Sequence, residues 1–101
     1  MSKSGLNREA ILKTLRNHQA EFERLYGVTK IGVFGSVARD ESRKNSDIDV
    51  VVEMRKPNLF YRVHIKETLE KVFKCPVDVI RYREKMNRYL KARIDRDACY
   101  A

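Results

Sequence analysis

Asp47 and Asp49 open a β-branched run, Val50-Val51-Val52. On a strand, side chains at i and i+2 project to the same face, so these two carboxylates point together, roughly 6–7 Å apart along the backbone. Gly35 and Ser36 stand directly after a short apolar run from Ile31 to Phe34, and ten residues separate Ser36 from Asp47. Two hard oxygen ligands at this spacing suit Mg²⁺, which takes one or two carboxylates and completes its shell with phosphate oxygens and water. A Gly-Ser turn entering a helix offers backbone N–H groups and a hydroxyl to a phosphate. A phosphate cradle beside metal carboxylates implies a nucleoside triphosphate and phosphoryl-type chemistry.

A third carboxylate, Asp78, lies within Val77-Asp78-Val79-Ile80. A charge in such company is costly unless it finds a cation or faces an open site. Asp78 is therefore either an edge-strand residue in water or a third acidic group beside Asp47 and Asp49.

Gly35-Ser36, ten residues and then Asp47-x-Asp49 resemble the signature of the polymerase-beta-like nucleotidyltransferase superfamily. The length, and the form Gly35-Ser36-x-Ala38-Arg39 with Ser46-Asp47-Ile48-Asp49, are similar to its minimal nucleotidyltransferase branch, many of whose members are antitoxin partners of HEPN-domain toxins. The resemblance runs from about residue 7 to the last residue. It implies an α+β fold, a small mixed three-stranded sheet with room for a fourth strand, flanked by helices. It also implies ATP as substrate, a pair of Mg²⁺ ions, and a third acidic residue on the strand next to the Asp-x-Asp strand, which is Asp78 here. The acceptor it implies is a tyrosine hydroxyl of a cognate HEPN ribonuclease toxin, silenced by receiving AMP.

In nucleotidyl transfer an acceptor oxygen attacks the α-phosphorus and pyrophosphate leaves, with metal ions clamping the attacking and leaving oxygens. Asp47 and Asp49 would hold the metals. Asp78 would hold the metal on the acceptor side and help remove the hydroxyl proton. Gly35 keeps the backbone close to the phosphates. Ser36 would donate its hydroxyl and N–H to the β- and γ-phosphates. Arg39 is either a guanidinium clamp on the triphosphate or a surface residue of a short helix. Ser46 would orient Asp47 or cap the loop. Two other functions compete: an antitoxin that neutralises by binding alone, and a nucleotidyltransferase for a small molecule or RNA. The last usually needs a second domain, and 101 residues make one.

These residues require a frame. Asn7 can cap a helix with Ile11, Leu15, Phe22 and Leu25 on one face, widened by Leu12 and Tyr26, and Gly27 ends it. His18 reads as a partly buried packing residue. Residues 29–34 form a first strand, in which Gly32 allows a close backbone approach. A short helix follows around Val37–Arg39, then a charged loop, 40–46, either a plain surface loop or a flap near the triphosphate. A second strand, about Asp47–Met54, carries Ile48, Val50 and Val52 on one face and Asp47, Asp49 and Val51 on the other, so both faces are covered. Asn58 can cap a helix over 58–74 with Leu59, Ile65, Leu69, Val72 and Phe73 near one face. His64 is a lone surface histidine. Val77–Ile80 is the third strand. A last helix, about Arg83–Ala98, carries Met86, Leu90 and Ile94, broadened by Tyr89.

Composition narrows the classes. No apolar run approaches the ~20 residues of a membrane span, and MSKSGLNREA has no apolar signal core, so a cytoplasmic protein is expected. Cys75 and Cys99 lack metal spacing and make a poor disulfide framework, which suits a reducing compartment. The formal charge of +8 calls for an anionic partner or serves solubility. Residues 81–96 alone hold seven basic and two acidic side chains, either a solvated helix face or a dock for an acidic partner or RNA. No aromatic-basic RNA-binding motif is present. Exposed apolar positions on the first and last helices would suit a homodimer.

Overall fold

The computed structural model describes residues 7–39 and 47–101. Ser46 and the rest of the charged loop, 40–46, read above as a surface loop or a flap, lie outside the described residues. The described chain forms α1 (Arg8–Tyr26), β1 (Val28–Phe34), β2 (Ile48–Met54), α2 (Leu59–Phe73), β3 (Val77–Arg81), α3 (Arg88–Asp97) and β4 (Cys99–Tyr100). The strands make one sheet in the order β3-β2-β1-β4. β1 runs antiparallel to β2 and to β4, whereas β2 and β3 are parallel and joined through α2. This is the expected α+β architecture, with the fourth strand present.

Helix ends follow from their caps. Asn7 accepts the Ala10 N–H at 2.8 Å, satisfying one of the orphan donors of the first turn. Gly27, at φ +72°, ends α1 in the left-handed conformation and donates to the Glu23 carbonyl. Asn58 accepts from Phe60 and Tyr61, and Asn87 from Leu90. Asn87 also corrects an expectation: α3 begins at Arg88, not near Arg83, because the cap starts the helix there.

Two apolar clusters cover the two sheet faces. Ile11, Leu15, Phe22, Ile65 and Leu69 pack with Ile48, Val50 and Val52 on one side. Phe34, Val51 and Ile94 form the other, with Leu90 and Met86 packed against it. β2 is thus covered on both faces, as its alternation requires. Four residues placed on core faces by spacing are exposed instead. Leu25 is about a quarter turn off the stripe of Ile11, Leu12, Leu15 and Phe22. The α2 contact stripe is Ile65, Leu69 and Phe73, leaving Leu59 and Val72 outside it. Tyr89 lies on the side of α3 away from Ile94, which alone of that helix is fully buried. His18 is partly buried and stacks on Phe22, and His64 is exposed, as expected.

β4 escapes periodicity because two residues show no period. Gly32 admits it. A Cβ on Gly32 would collide with the Cys99 carbonyl and approach Tyr100 Cα to 2.8 Å. Among the described residues no helix is long and apolar enough to cross a membrane.

Candidate functional site

Inner strand β2 and edge strand β3 bring the carboxylates together. Asp49 is in register with Asp78 across the parallel β2–β3 ladder. Neighbouring strands lie about 4.8 Å apart, and residues in register share a face, so both side chains leave the sheet side by side. Asp49 and Val51 share the face that α3 covers further along. Asp47 stands exposed just before β2. Asp78 is exposed on β3, which is an edge strand. Asp78 thus answers both expectations at once, being an edge residue and a neighbour of Asp49.

Asp49 sits at the centre of this group. Its own burial raises its pKa, the Asp78 charge adds to that, and Asp47 contributes further. Arg93 opposes them, with Nη2 4.0 Å from Asp49 Oδ2. Among the described residues no three acidic, His or Cys side chains close into a metal cage. Asp47 and Asp78 face water. An open set of carboxylate oxygens fits Mg²⁺, which needs only one or two of them beside phosphate and water.

The turn after β1 closes the other side. Gly35 adopts φ +75°, and a Cβ there would stand 2.5 Å from Asp49 Oδ2. Glycine is therefore required by conformation and by the carboxylate lodged against it. Arg39 N–H donates to the Gly35 carbonyl at 3.2 Å, making one helical turn of 35–39. Val37 and Ala38 bury themselves in the main core and pin this turn, leaving Ser36 half-exposed. Arg8 also donates to the Ala38 carbonyl at 2.9 Å.

Arg39, read from sequence as either a clamp or a surface residue, lies at the surface and pairs with the end of α3. Its Nη1 meets Asp97 Oδ2 at 2.7 Å, and Arg96 grips the same carboxylate. The Arg96 and Arg39 hydrogen bonds hold the Asp97 carboxyl below its ordinary pKa, Arg96 contributing most. Arg39 thereby ties the Gly35–Arg39 turn to the end of α3. Lys66 donates to Glu70 at 2.8 Å and to the Val77 carbonyl at 2.9 Å, and Glu70 accepts the Val77 N–H. These bonds fix the start of β3, and so the position of Asp78. Burial raises the Cys75 thiol pKa, with Asp47 adding to it, which disfavours the thiolate. Neither cysteine forms a disulfide. Sequence reasoning missed Arg93, because a basic run does not reveal which member overhangs a site.

Residues 15–99 match the model of the nucleotidyltransferase domain family. This chain belongs to that family. It is a nucleotidyltransferase with protein adenylyltransferase relatives. It is 33% identical over 91 residues to a provisionally named protein adenylyltransferase of Methanocaldococcus jannaschii, covering 89% of this chain and 93% of that one. It is 36% identical over 76 residues to the protein adenylyltransferase MntA of Thermococcus cleftensis, covering 74% and 77%. Two solved structures share the fold. One is a toxin-antitoxin with AMP-PNP, at TM-score 0.68 and 21% identity over 83% of this nucleotidyltransferase and 69% of that chain. The other is a tri-AMPylated Shewanella oneidensis HEPN toxin in complex with an MNT antitoxin, at TM-score 0.61 and 20% identity over 97% and 71%.

Proposed function

We propose that this nucleotidyltransferase is a magnesium-dependent protein adenylyltransferase that moves AMP from ATP to a hydroxyl, the tyrosine of a cognate HEPN toxin, and so acts as an antitoxin in the cytoplasm. The observation that carries this reading is the juxtaposition of Asp49 with Asp78 on one side and the Gly35 turn on the other. The relatives named protein adenylyltransferase, and the AMPylated HEPN toxin bound to an antitoxin of the same fold, support the acceptor class.

The residues divide the task. Asp47 and Asp49 would hold Mg²⁺, which supplies charge neutralisation at the phosphate oxygens. Gly35 and Ser36 would present N–H groups and a hydroxyl to the β- and γ-phosphates. Asp78, exposed on the edge strand, would hold the acceptor side and take the hydroxyl proton as the acceptor oxygen attacks the α-phosphorus. The α–β phosphoanhydride bond breaks as the new phosphodiester forms, and pyrophosphate leaves. An open depression of about 230 Å³, lined by Arg62, Val63, Lys66, Asp78, Val79 and Ile80, leaves room for the acceptor side chain at that carboxylate.

The test is transfer of label from [α-³²P]ATP to the co-purified HEPN partner with Mg²⁺ present. Label on the partner that is lost in Asp47→Ala and Asp49→Ala supports the reading. No label, or equal label from these variants, overturns it. If Asp49→Ala binds the partner and still neutralises it, occlusion rather than transfer is the antitoxin mechanism.

A further inference from the structure

Arg93 stands where α3 meets the mouth of the site. Its Nη2 lies 4.0 Å from Asp49 Oδ2, too long for a hydrogen bond. The same nitrogen is 3.5 Å from the position a Gly35 Cβ would take, so the guanidinium overhangs the Gly35–Ser36 turn. Its Cζ lies 5.6 Å from the Phe34 ring centroid, within cation–π range. The side chain is 49% exposed. Ile94, the next residue, is fully buried and anchors this stretch of α3 against the sheet. Arg93 is therefore held by an aromatic ring and a carboxylate, while its five N–H donors lack a hydrogen-bond partner among the described residues.

Neighbouring cations are engaged otherwise. Arg39 and Arg96 bind Asp97, Lys66 binds Glu70 and the Val77 carbonyl, and Lys91 pairs with Asp95. Arg93 differs from them in lying beside the central carboxylate and the glycine turn together.

We infer that Arg93 is a phosphate-binding residue whose guanidinium takes the non-bridging oxygens of a polyphosphate lodged at Gly35–Ser36. This rests on the nucleotidyl-transfer reading and assigns the clamp role to Arg93 rather than Arg39. A planar fork of donors matches phosphate oxygens in pairs, which Lys cannot do. The 4.0 Å approach to Asp49 is loose enough to be exchanged. Once Asp49 shares its charge with a cation, its pull on Arg93 falls, and a phosphate becomes the stronger partner. Until then Arg93 softens the repulsion among the three carboxylates.

Isothermal calorimetry with Mg²⁺–AMP-PNP and with AMP tests this. Arg93→Ala is expected to weaken Mg²⁺–AMP-PNP binding about 10–100-fold, while AMP binding changes by less than about threefold. Arg93→Lys should recover part of the loss. Arg93→Ala binding Mg²⁺–AMP-PNP within about twofold of wild type overturns the proposal, as does an equal loss for both ligands. Should Arg93→Ala fail to fold, Arg93→Gln keeps the stem and removes the charge, and the same outcomes apply. Wild-type protein that binds no Mg²⁺–AMP-PNP overturns the nucleotidyl-transfer reading itself, which is a different result from an intact wild type beside an unaffected Arg93→Ala.

Discussion

Asp49 and Asp78 come from segments 29 residues apart and face each other across a parallel ladder. The sheet is what holds these like charges together. Their repulsion is a cost that the fold carries for the sake of the site.

That cost has a sign. Burial first, and then Asp78, raise the Asp49 pKa above its ordinary value of 3.8. The folded protein holds this proton more tightly than the unfolded chain. The group therefore favours folding below pH 3.8, and this contribution is lost as pH rises through the raised value. Asp49→Asn is accordingly expected to raise Tm at pH 7 by roughly 1–4 °C while removing transfer activity. Magnesium should stabilise the wild type more than the variant. Melts followed by circular dichroism, with and without the metal, check both. A less stable Asp49→Asn would mean that the attraction of Arg93 outweighs Asp78.

Gly35→Ala is expected to damage the site twice. The left-handed conformation costs a residue with a Cβ about 1–2 kcal/mol, and that Cβ must displace the Asp49 carboxylate 2.5 Å away. A shift near 1 Å in a catalytic group lowers rate about 100-fold. Denaturant unfolding and transfer kinetics on the same preparation separate the two effects. Near wild-type turnover would show that the turn adapts without moving Asp49.

Lys66→Met should loosen the start of β3. The Lys66 hydrogen bond, then the Val77 N–H, hold the Glu70 carboxyl below its ordinary pKa of 4.5. A lowered carboxylate pKa contributes stability that is present above pH 4.5 and lost as pH falls through the folded value. The stability gap between wild type and Lys66→Met is therefore expected to be widest near neutrality and to shrink in acid. A gap independent of pH would assign the effect to packing of the lysine stem instead.

Gly32→Val should expel β4. The added side chain meets the Cys99 carbonyl and Tyr100, and overpacking of this kind costs about 1–3 kcal/mol. The Ala101 N–H, which donates to the Ile31 carbonyl at 2.9 Å, should lose its hydrogen-exchange protection. Protection equal to wild type would show that β4 tolerates a wider spacing.

How far the chain could be read in advance depended on what each signal reports. Asp47 and Asp49 were legible because alternation on a strand is strict, and Val50–Val52 marked the strand. Asp78 was legible as a charge amid apolar neighbours, but its placement beside Asp49 came only through the resemblance, since register between distant strands leaves no local trace. Helix faces were legible at their centres, Ile11–Phe22 and Ile65–Phe73, and misread at their edges. Leu25, Leu59 and Val72 sit where a three- or four-residue step has drifted off the contact stripe. Arg39 and Arg93 could not be ranked from sequence, because long cationic side chains are placed by their partners. Asp97 draws one and Phe34 braces the other.

Parallel pairing of β2 with β3 obliges the chain to pass through all of α2 before Asp78 reaches Asp49. A polypeptide leaving the ribosome therefore exposes its glycine turn and Asp49 before Asp78, and the two carboxylates become neighbours only once β2, α2 and β3 have all emerged and docked.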